Sequence, residues 1–339
     1  MDIYQRFRVT CRALYDRHSD RACNAITPVW YLTCVIGLNW MLHDHIFDYL
    51  HGKGTQQSTI ARWICWFFTA EMIVNWIFLC TVKSNYINTE EHNAKRLQHE
   101  KTNPQFTSEG VEYEKLKELR PTMGTGNWSV ITHYTGSEVK RTAYPYWGWK
   151  PCIVCSCYKP PRCHHCTLCD SCVLKRDHHC FFIRQCVGLN NQRFFVVFNF
   201  WAALLTAFVI PQIFHYTTLV VWPGMKVQEL FLPWTLVSFL IGWTNLYTLF
   251  LISQNWSMVF FFLTAGTFLS EQLRCIDAGK TPFELDHKDH EIQTRCKSRY
   301  ERFTCVFGRN NIWINFLIPY HWVSEPVDDG ISWQSMKMQ

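Results

Sequence analysis

Eight residues between Cys152 and Cys186 have the types and spacing of ligands for a soft metal: Cys152, Cys155, His165, Cys166, Cys169, Cys172, His179 and Cys186. Tetrahedral zinc takes four sulfur or nitrogen donors, so eight donors make two closed sites of the structural kind. One thiol in the same stretch is left over, Cys180, inside the run Asp177-His178-His179-Cys180. A thiol with a pKa near ~8.5 is mostly protonated at neutral pH and needs a base or a positive environment to react. His178 is the natural base, and Asp177 can hold its imidazole in one tautomer. A surplus thiol beside a histidine and a carboxylate is the composition of an activated nucleophile.

Spacing alone does not divide the eight ligands. Cys152-x2-Cys155 is one pair, whereas Cys166-x2-Cys169-x2-Cys172 contains two overlapping pairs that cannot both be used whole. In extended chain, adjacent side chains point to opposite faces. His165 and Cys166 are therefore expected to serve different ions, and His178 and His179 to have different jobs. The expected partition is Cys152, Cys155, His165 and Cys172 for one ion, and Cys166, Cys169, His179 and Cys186 for the other. Cys157, Cys163 and His164 are spare. The 17 cysteines would suggest disulfides in a small secreted protein; concentrated in one block with interleaved histidines, they indicate metal in a reducing compartment.

Strongly apolar segments flank this block. A helix needs about 20 mostly apolar residues to cross a bilayer, and four segments qualify: Ala25 to Leu42, the shortest; Ile60 to Val82, which carries Glu71 near Asn75; Phe194 to Trp222, with a kink expected at Pro211; and a span within Phe231 to Phe268, too long for one straight helix. An aromatic content of 16% suits helices that meet lipid headgroups. The mean hydropathy of −0.10 averages these segments with very polar loops. No apolar stretch opens the chain, so no cleavable signal peptide is expected. Five Lys or Arg precede the first segment, and one lies in each of the loops from Leu42 to Thr59 and from Pro223 to Leu230. Sixteen lie from Lys83 to Arg193 and nine after Ser270, which puts both termini and the cysteine block on the cytosolic side. Glu71, a carboxylate inside a span, is a functional candidate or a packing residue.

The stretch Ser84 to Trp149 is polar, with a short helix expected over Glu112 to Arg120 and a strand over Trp128 to Tyr134. Asn127-Trp128-Ser129 matches a glycosylation acceptor, which a cytosolic loop never uses. Cys275, Cys296 and Cys305 are tail thiols open to acylation near the membrane or to remaining unmodified.

The pattern Cys152-x2-Cys155-x3-Lys159-Pro160-x-Arg162-x2-His165-Cys166-x2-Cys169-x2-Cys172-x4-Asp177-His178-His179-Cys180-x5-Cys186-x4-Asn191-x3-Phe195 resembles the DHHC palmitoyltransferase family without a gap. The resemblance implies an all-α integral membrane protein of four spans, with a cytosolic two-zinc cysteine-rich domain between the second and third. The layout expected is a cytosolic arm (1–24), two spans (25–82), a cytosolic loop (83–193) holding the cysteine-rich domain at about 150–195, two further spans (194–268) and a cytosolic tail (269–339). It also implies protein S-acyltransfer: Cys180 accepts a long-chain acyl group from acyl-CoA (palmitoyl-CoA), with His178 and Asp177 assisting, and passes it to membrane-proximal cysteines of other proteins. Two structural zinc ions, acyl-CoA, protein substrates and the lipid bilayer are the expected cofactors and partners, with no nucleic acid. An endomembrane, Golgi or ER, is expected rather than the plasma membrane. The acyl chain would need an apolar home among the spans. The family's Thr-Thr-x-Glu, after the fourth span, corresponds here to Phe268-Leu269-Ser270-Glu271, in which only the glutamate agrees. Tyr300 and Phe307-Gly308 stand where its aromatic tail motif is expected. A silent zinc scaffold would need the ligands but not Cys180, and a transporter built on Glu71 would need paired broken helices.

Overall fold

The computed structural model describes residues 3–102, 108–112, 128–135, 138–221, 224, 227–286, 292–308, 314, 316, 326–333 and 336–338. It is mostly helical. Four helical segments are long and apolar enough to cross a membrane: Ser19–His51, Gln56–Thr81, Gln192–Val220 and Leu246–Ala278. The cysteine-rich block lies between the second and the third. The chain divides into two compact units: residues 1–77 with 194–272, and residues 78–193 with 273–339.

The first unit is helical. Helix α1 (Ile3–Met41) joins the expected N-terminal arm and first span in one element. It continues through a π-helical turn, Leu42–Ile46, into α2 (Phe47–His51). Helix α3 (Gln56–Thr81) returns antiparallel after Gly52 and Gly54, both at positive φ. Polar side chains inside an apolar bundle are stabilised by bonding one another, and several here do so. Thr69 donates to Asn39 at 3.4 Å, and Arg62 pairs with Asp48 at 2.7 Å. Helix α5 (Gln192–Val220) runs through Pro211 unbroken. Tyr216 on α5 meets Tyr247 at 2.8 Å, and Asn255 donates to Thr217 at 3.0 Å. The apolar stretch too long for one span breaks at Gly242, where φ is +78°: α6 (Leu232–Leu240) precedes it, and α7 (Leu246–Ala278) follows, ten residues beyond the expected end at Phe268. Asn75 donates to the backbone carbonyl of Glu71, not to its carboxylate.

The second unit holds helix α4 (Glu90–Thr102) and a three-stranded antiparallel sheet in the order β1 (Val111–Glu112), β3 (Glu138–Pro145), β2 (Trp128–Thr135). The strand expected over Trp128 to Tyr134 is β2. The helix expected over Glu112 to Arg120 falls outside the described residues except Glu112, which lies in β1. Asn127 of the glycosylation pattern is also outside them. Three short hairpins carry the cysteines: β4 (Lys150–Cys152) with β5 (Cys157–Lys159), β6 (His164–Cys166) with β7 (Ser171–Val173), and β8 (His179–Cys180) with β9 (Gln185–Cys186). Ser156, Asp170 and Arg184 turn them at positive φ.

Their core draws on chain far away in sequence. Tyr86, Trp149 and Ile331 pack with Cys152, Cys163 and Cys172, and Trp333 packs with Tyr146, Trp147 and Leu189. Gly330 brings this late segment in at φ +76°, where a Cβ would meet Leu189 at 2.7 Å. The tail adds α8 (Pro282–Asp286), α9 (Arg299–Phe307) and a ribbon of β10 (Ile292–Thr294) with β11 (Met336–Met338).

Candidate active site and metal clusters

The hairpin registers sort the donors. His165 stands directly across from Cys172, and His179 directly across from Cys186. Directly opposed residues share a sheet face, and neighbours along a strand do not. The hairpin that pairs His165 with Cys172 thus turns Cys166 the other way, toward the second donor set. In the first cluster, Cys152, Cys155, His165 and Cys172 hold their donor atoms within 4.8 Å of one another; in the second, Cys166, Cys169, His179 and Cys186 do the same. These are the two groups that alternation predicts. Cys157 lies at the turn beside the first cluster and Cys163 packs in the core against it; neither belongs to a donor group.

Distances inside the clusters fit a closed tetrahedral ion. Sγ atoms of Cys155 and Cys172 are 3.7 Å apart, and those of Cys169 and Cys186 are 3.8 Å apart. Metal–sulfur bonds of ~2.3 Å give a tetrahedral edge of about 3.8 Å. His165 Nδ1 is 3.3 Å from Cys155 Sγ, and His179 Nδ1 is 3.3 Å from Cys169 Sγ. Burial, then neighbouring Cys172, pushes Cys155 up to about 12, while contacts from Cys169 and Cys186 draw Cys166 down. A dication satisfies all of them at once.

The opposite face of the same strand carries the surplus thiol. Asp177 and His178 are locked into the hairpin base by the Asp177 amide donating to Val187 and the Val187 amide donating to His178. His178 Nδ1 donates to Asp177 Oδ1 at 2.6 Å, leaving Nε2 for the reaction side. Cys180, only 5% exposed, lies within hydrogen-bonding reach of His178. Burial works against a charged imidazole here, but Asp177 and Cys180 outweigh it and raise His178 to about 9. Such a histidine pairs with a thiolate as imidazolium and stands ready to give a proton to a leaving group. Gln185, across from Cys180, donates to the carbonyls of Leu79 and Val82. Buried Asn191 donates to Val82 and Cys186 and accepts from the Gly188 amide. The hairpin is thereby fixed to the chain that leaves the second span.

A further pair went unread in the sequence. Arg162 and Glu284, 2% and 0% exposed, form a bidentate ion pair with both contacts at 2.7 Å. Tyr146 donates to Glu284 at 3.2 Å, Arg162 donates to the Gly279 carbonyl, and the Arg162 guanidinium lies 4.5 Å over the Trp333 ring. Trp333 in turn donates to the Pro161 carbonyl. The buried acid is thus Glu284, thirteen residues beyond Glu271, which lies within α7. Thr281-Pro282-Phe283-Glu284 is a capping box: the Thr281 amide donates to Glu284, the Glu284 amide donates to Thr281, and proline opens the helix.

Residues 147–289 match a family model described as DHHC palmitoyltransferase. Over this stretch the chain is similar to the DHHC palmitoyltransferase family. Protein S-acyltransferase 8 of Arabidopsis thaliana is 34% identical over 121 residues, 31% of this chain and 29% of the relative. Palmitoyltransferase ZDHHC20-B of Danio rerio is 36% identical over 115 residues, covering 32% of this chain and 36% of the relative. Palmitoyltransferase ZDHHC20 of Homo sapiens is 25% identical over 204 residues, 58% of this chain and 51% of the relative. The chain thus matches about a third, or half, of the length of these relatives.

Proposed function

We propose that this chain is a protein S-acyltransferase in which Cys180 carries the acyl group. The observation that supports this most directly is the 2.6 Å Asp177–His178 contact, with Cys180 within hydrogen-bonding reach of His178, inside the stretch that matches the DHHC family model. The Cys180 thiolate attacks the thioester carbonyl of a long-chain acyl-CoA such as palmitoyl-CoA. The carbon–sulfur bond to CoA breaks, and His178 gives its proton to the departing CoA thiolate. In the second half, the thiol of a membrane-proximal protein cysteine gives its proton to His178 and attacks the Cys180 thioester, which returns Cys180 as thiolate. One thioester replaces another at each step, so no external energy source enters. Asp177 orients His178 and balances its charge throughout.

Cys152, Cys155, His165 and Cys172 would hold one zinc ion, and Cys166, Cys169, His179 and Cys186 a second. When bound, these ions supply folding free energy. The Lys and Arg asymmetry between loops supports a multi-pass protein with the cysteine block and both termini cytosolic; placement in a Golgi or ER membrane rests on the resemblance alone. Incubation of detergent-purified protein with a clickable acyl-CoA tests the reading. A label on Cys180 that hydroxylamine releases is expected; absence of label, or label that resists hydroxylamine, overturns it.

A further inference from the structure

Among the described residues, a further pair of sulfurs stands close outside the donor clusters. Cys296 follows β10 and Cys305 lies near the end of α9, with Sγ atoms 3.3 Å apart. Both thiols are half-buried and so within reach of small reagents. The spacing is shorter than the 3.7 and 3.8 Å edges of the two clusters. Among the described residues neither cysteine belongs to a group of three or more metal donors. A metal edge is therefore the poorer account of this pair, and a covalent one the better. Closure to the ~2.05 Å disulfide bond needs little more than an ångström of approach, which rotation about two Cα–Cβ bonds can deliver.

We infer that Cys296 and Cys305 are a modification site, a dithiol that hydroperoxides convert to a reversible disulfide. The steps balance with hydrogen peroxide as the two-electron oxidant. One thiolate attacks the peroxide oxygen, the O–O bond breaks, and a sulfenic acid and one water result. The second thiol attacks that sulfur, the S–O bond breaks, and a second water leaves with the disulfide in place. Either thiol can take the first step, since both are half-buried and 3.3 Å apart. Cys296 is held in place by its amide bonding Thr294 at the end of the β10–β11 ribbon.

The bond would staple α9 to that ribbon. Arg299 of α9 pairs with Asp277 at 3.0 Å, and Arg302 donates to the Asp277 carbonyl. Two residues on, the Gly279 carbonyl accepts from Arg162. The oxidation state of the tail is thus wired to the turn that holds the buried Arg162–Glu284 pair.

Full-length, metal-loaded protein in detergent is titrated with hydrogen peroxide, remaining thiols are blocked, and non-reduced peptides are mapped by mass spectrometry while a chromophoric chelator reports metal release. The lowest effective doses should join the Cys296 and Cys305 peptides with loss of two hydrogen atoms, reversibly by a thiol reductant and before any ion leaves. Cys305→Ser should remove the cross-link without changing acyl-enzyme formation by reduced protein; Cys296→Ser serves as the second variant. Separate oxidation products on the two cysteines, a cross-link from either one to Cys180 or to a metal donor, or metal loss while both stay reduced would each overturn the inference.

Discussion

The two faces of the strand through Asp177 and Cys180 carry opposite kinds of work. One face sends His179, with Cys186 beside it, into a closed donor cluster that no substrate needs to enter. The other face carries Cys180 within reach of His178, which, just before the strand, bonds its neighbour Asp177. A reactive group needs precise placement and incomplete coordination, and a structural ligand needs the reverse. Backbone alternation separates the two demands by a single residue, so a rigid metal site can position a nucleophile without consuming it.

The largest effect belongs to the nucleophile. Cys180→Ser should abolish hydroxylamine-sensitive labelling while the protein keeps both ions in metal analysis; ion loss would show that the faces are not independent. His179→Ala should come next in severity, dropping the content from two ions to one and unfolding the hairpin, because apparent binding energies of structural zinc run to about 10–16 kcal/mol. His178→Ala should keep both ions and slow acyl-enzyme formation by roughly 10²–10⁴-fold, the usual range for losing a proton-transfer group. If His178→Ala strips metal and His179→Ala does not, the two histidines have exchanged roles.

A pH scan sharpens the same contrast. His178 has a higher proton affinity in the fold, about 9, than the ~6.5 of an unfolded chain. Its contact with Asp177 therefore stabilises the fold fully below pH ~6.5, and that contribution is lost as pH rises through about 9. Thermal unfolding of Asp177→Asn should lose most of this alkaline dependence. Equal pH curves for wild type and variant would sever the link between the carboxylate and the imidazole. Smallest on catalysis, though not on stability, is Glu284→Ala: a buried charge left alone costs about 3–5 kcal/mol, seen as a lowered melting temperature with Cys180 chemistry retained in the folded fraction.

Much of the site was legible because it is local. Alternation over Asp177 to Cys180 and the ligand spacings are short-range patterns, and the hairpin registers follow them. The helices were legible from apolar length, but their limits were not: the break at Gly242 lies inside a long apolar stretch and is marked only by that glycine and by Asn245, which accepts from the Thr248 amide. Glu284 stands beyond the first glutamate after the apolar run, and its Thr-Pro-x-Glu setting is a helix-start signal readable without any structure. Ile331 and Trp333 left no such trace. They are isolated apolar residues in a polar stretch, and only the fold shows that they complete a core begun at Tyr86 and Trp149.

That late contribution has a consequence for biogenesis. Trp333 is 147 residues beyond Cys186 in the sequence, and at roughly 5–20 residues per second a ribosome takes about 7 to 30 s to cover that distance. For that interval every donor of both clusters has been synthesised while the tryptophan over Arg162 does not yet exist. The nascent hairpins must persist for that time with one wall of their core missing. Closure of this core by the tail is the last step in chain order.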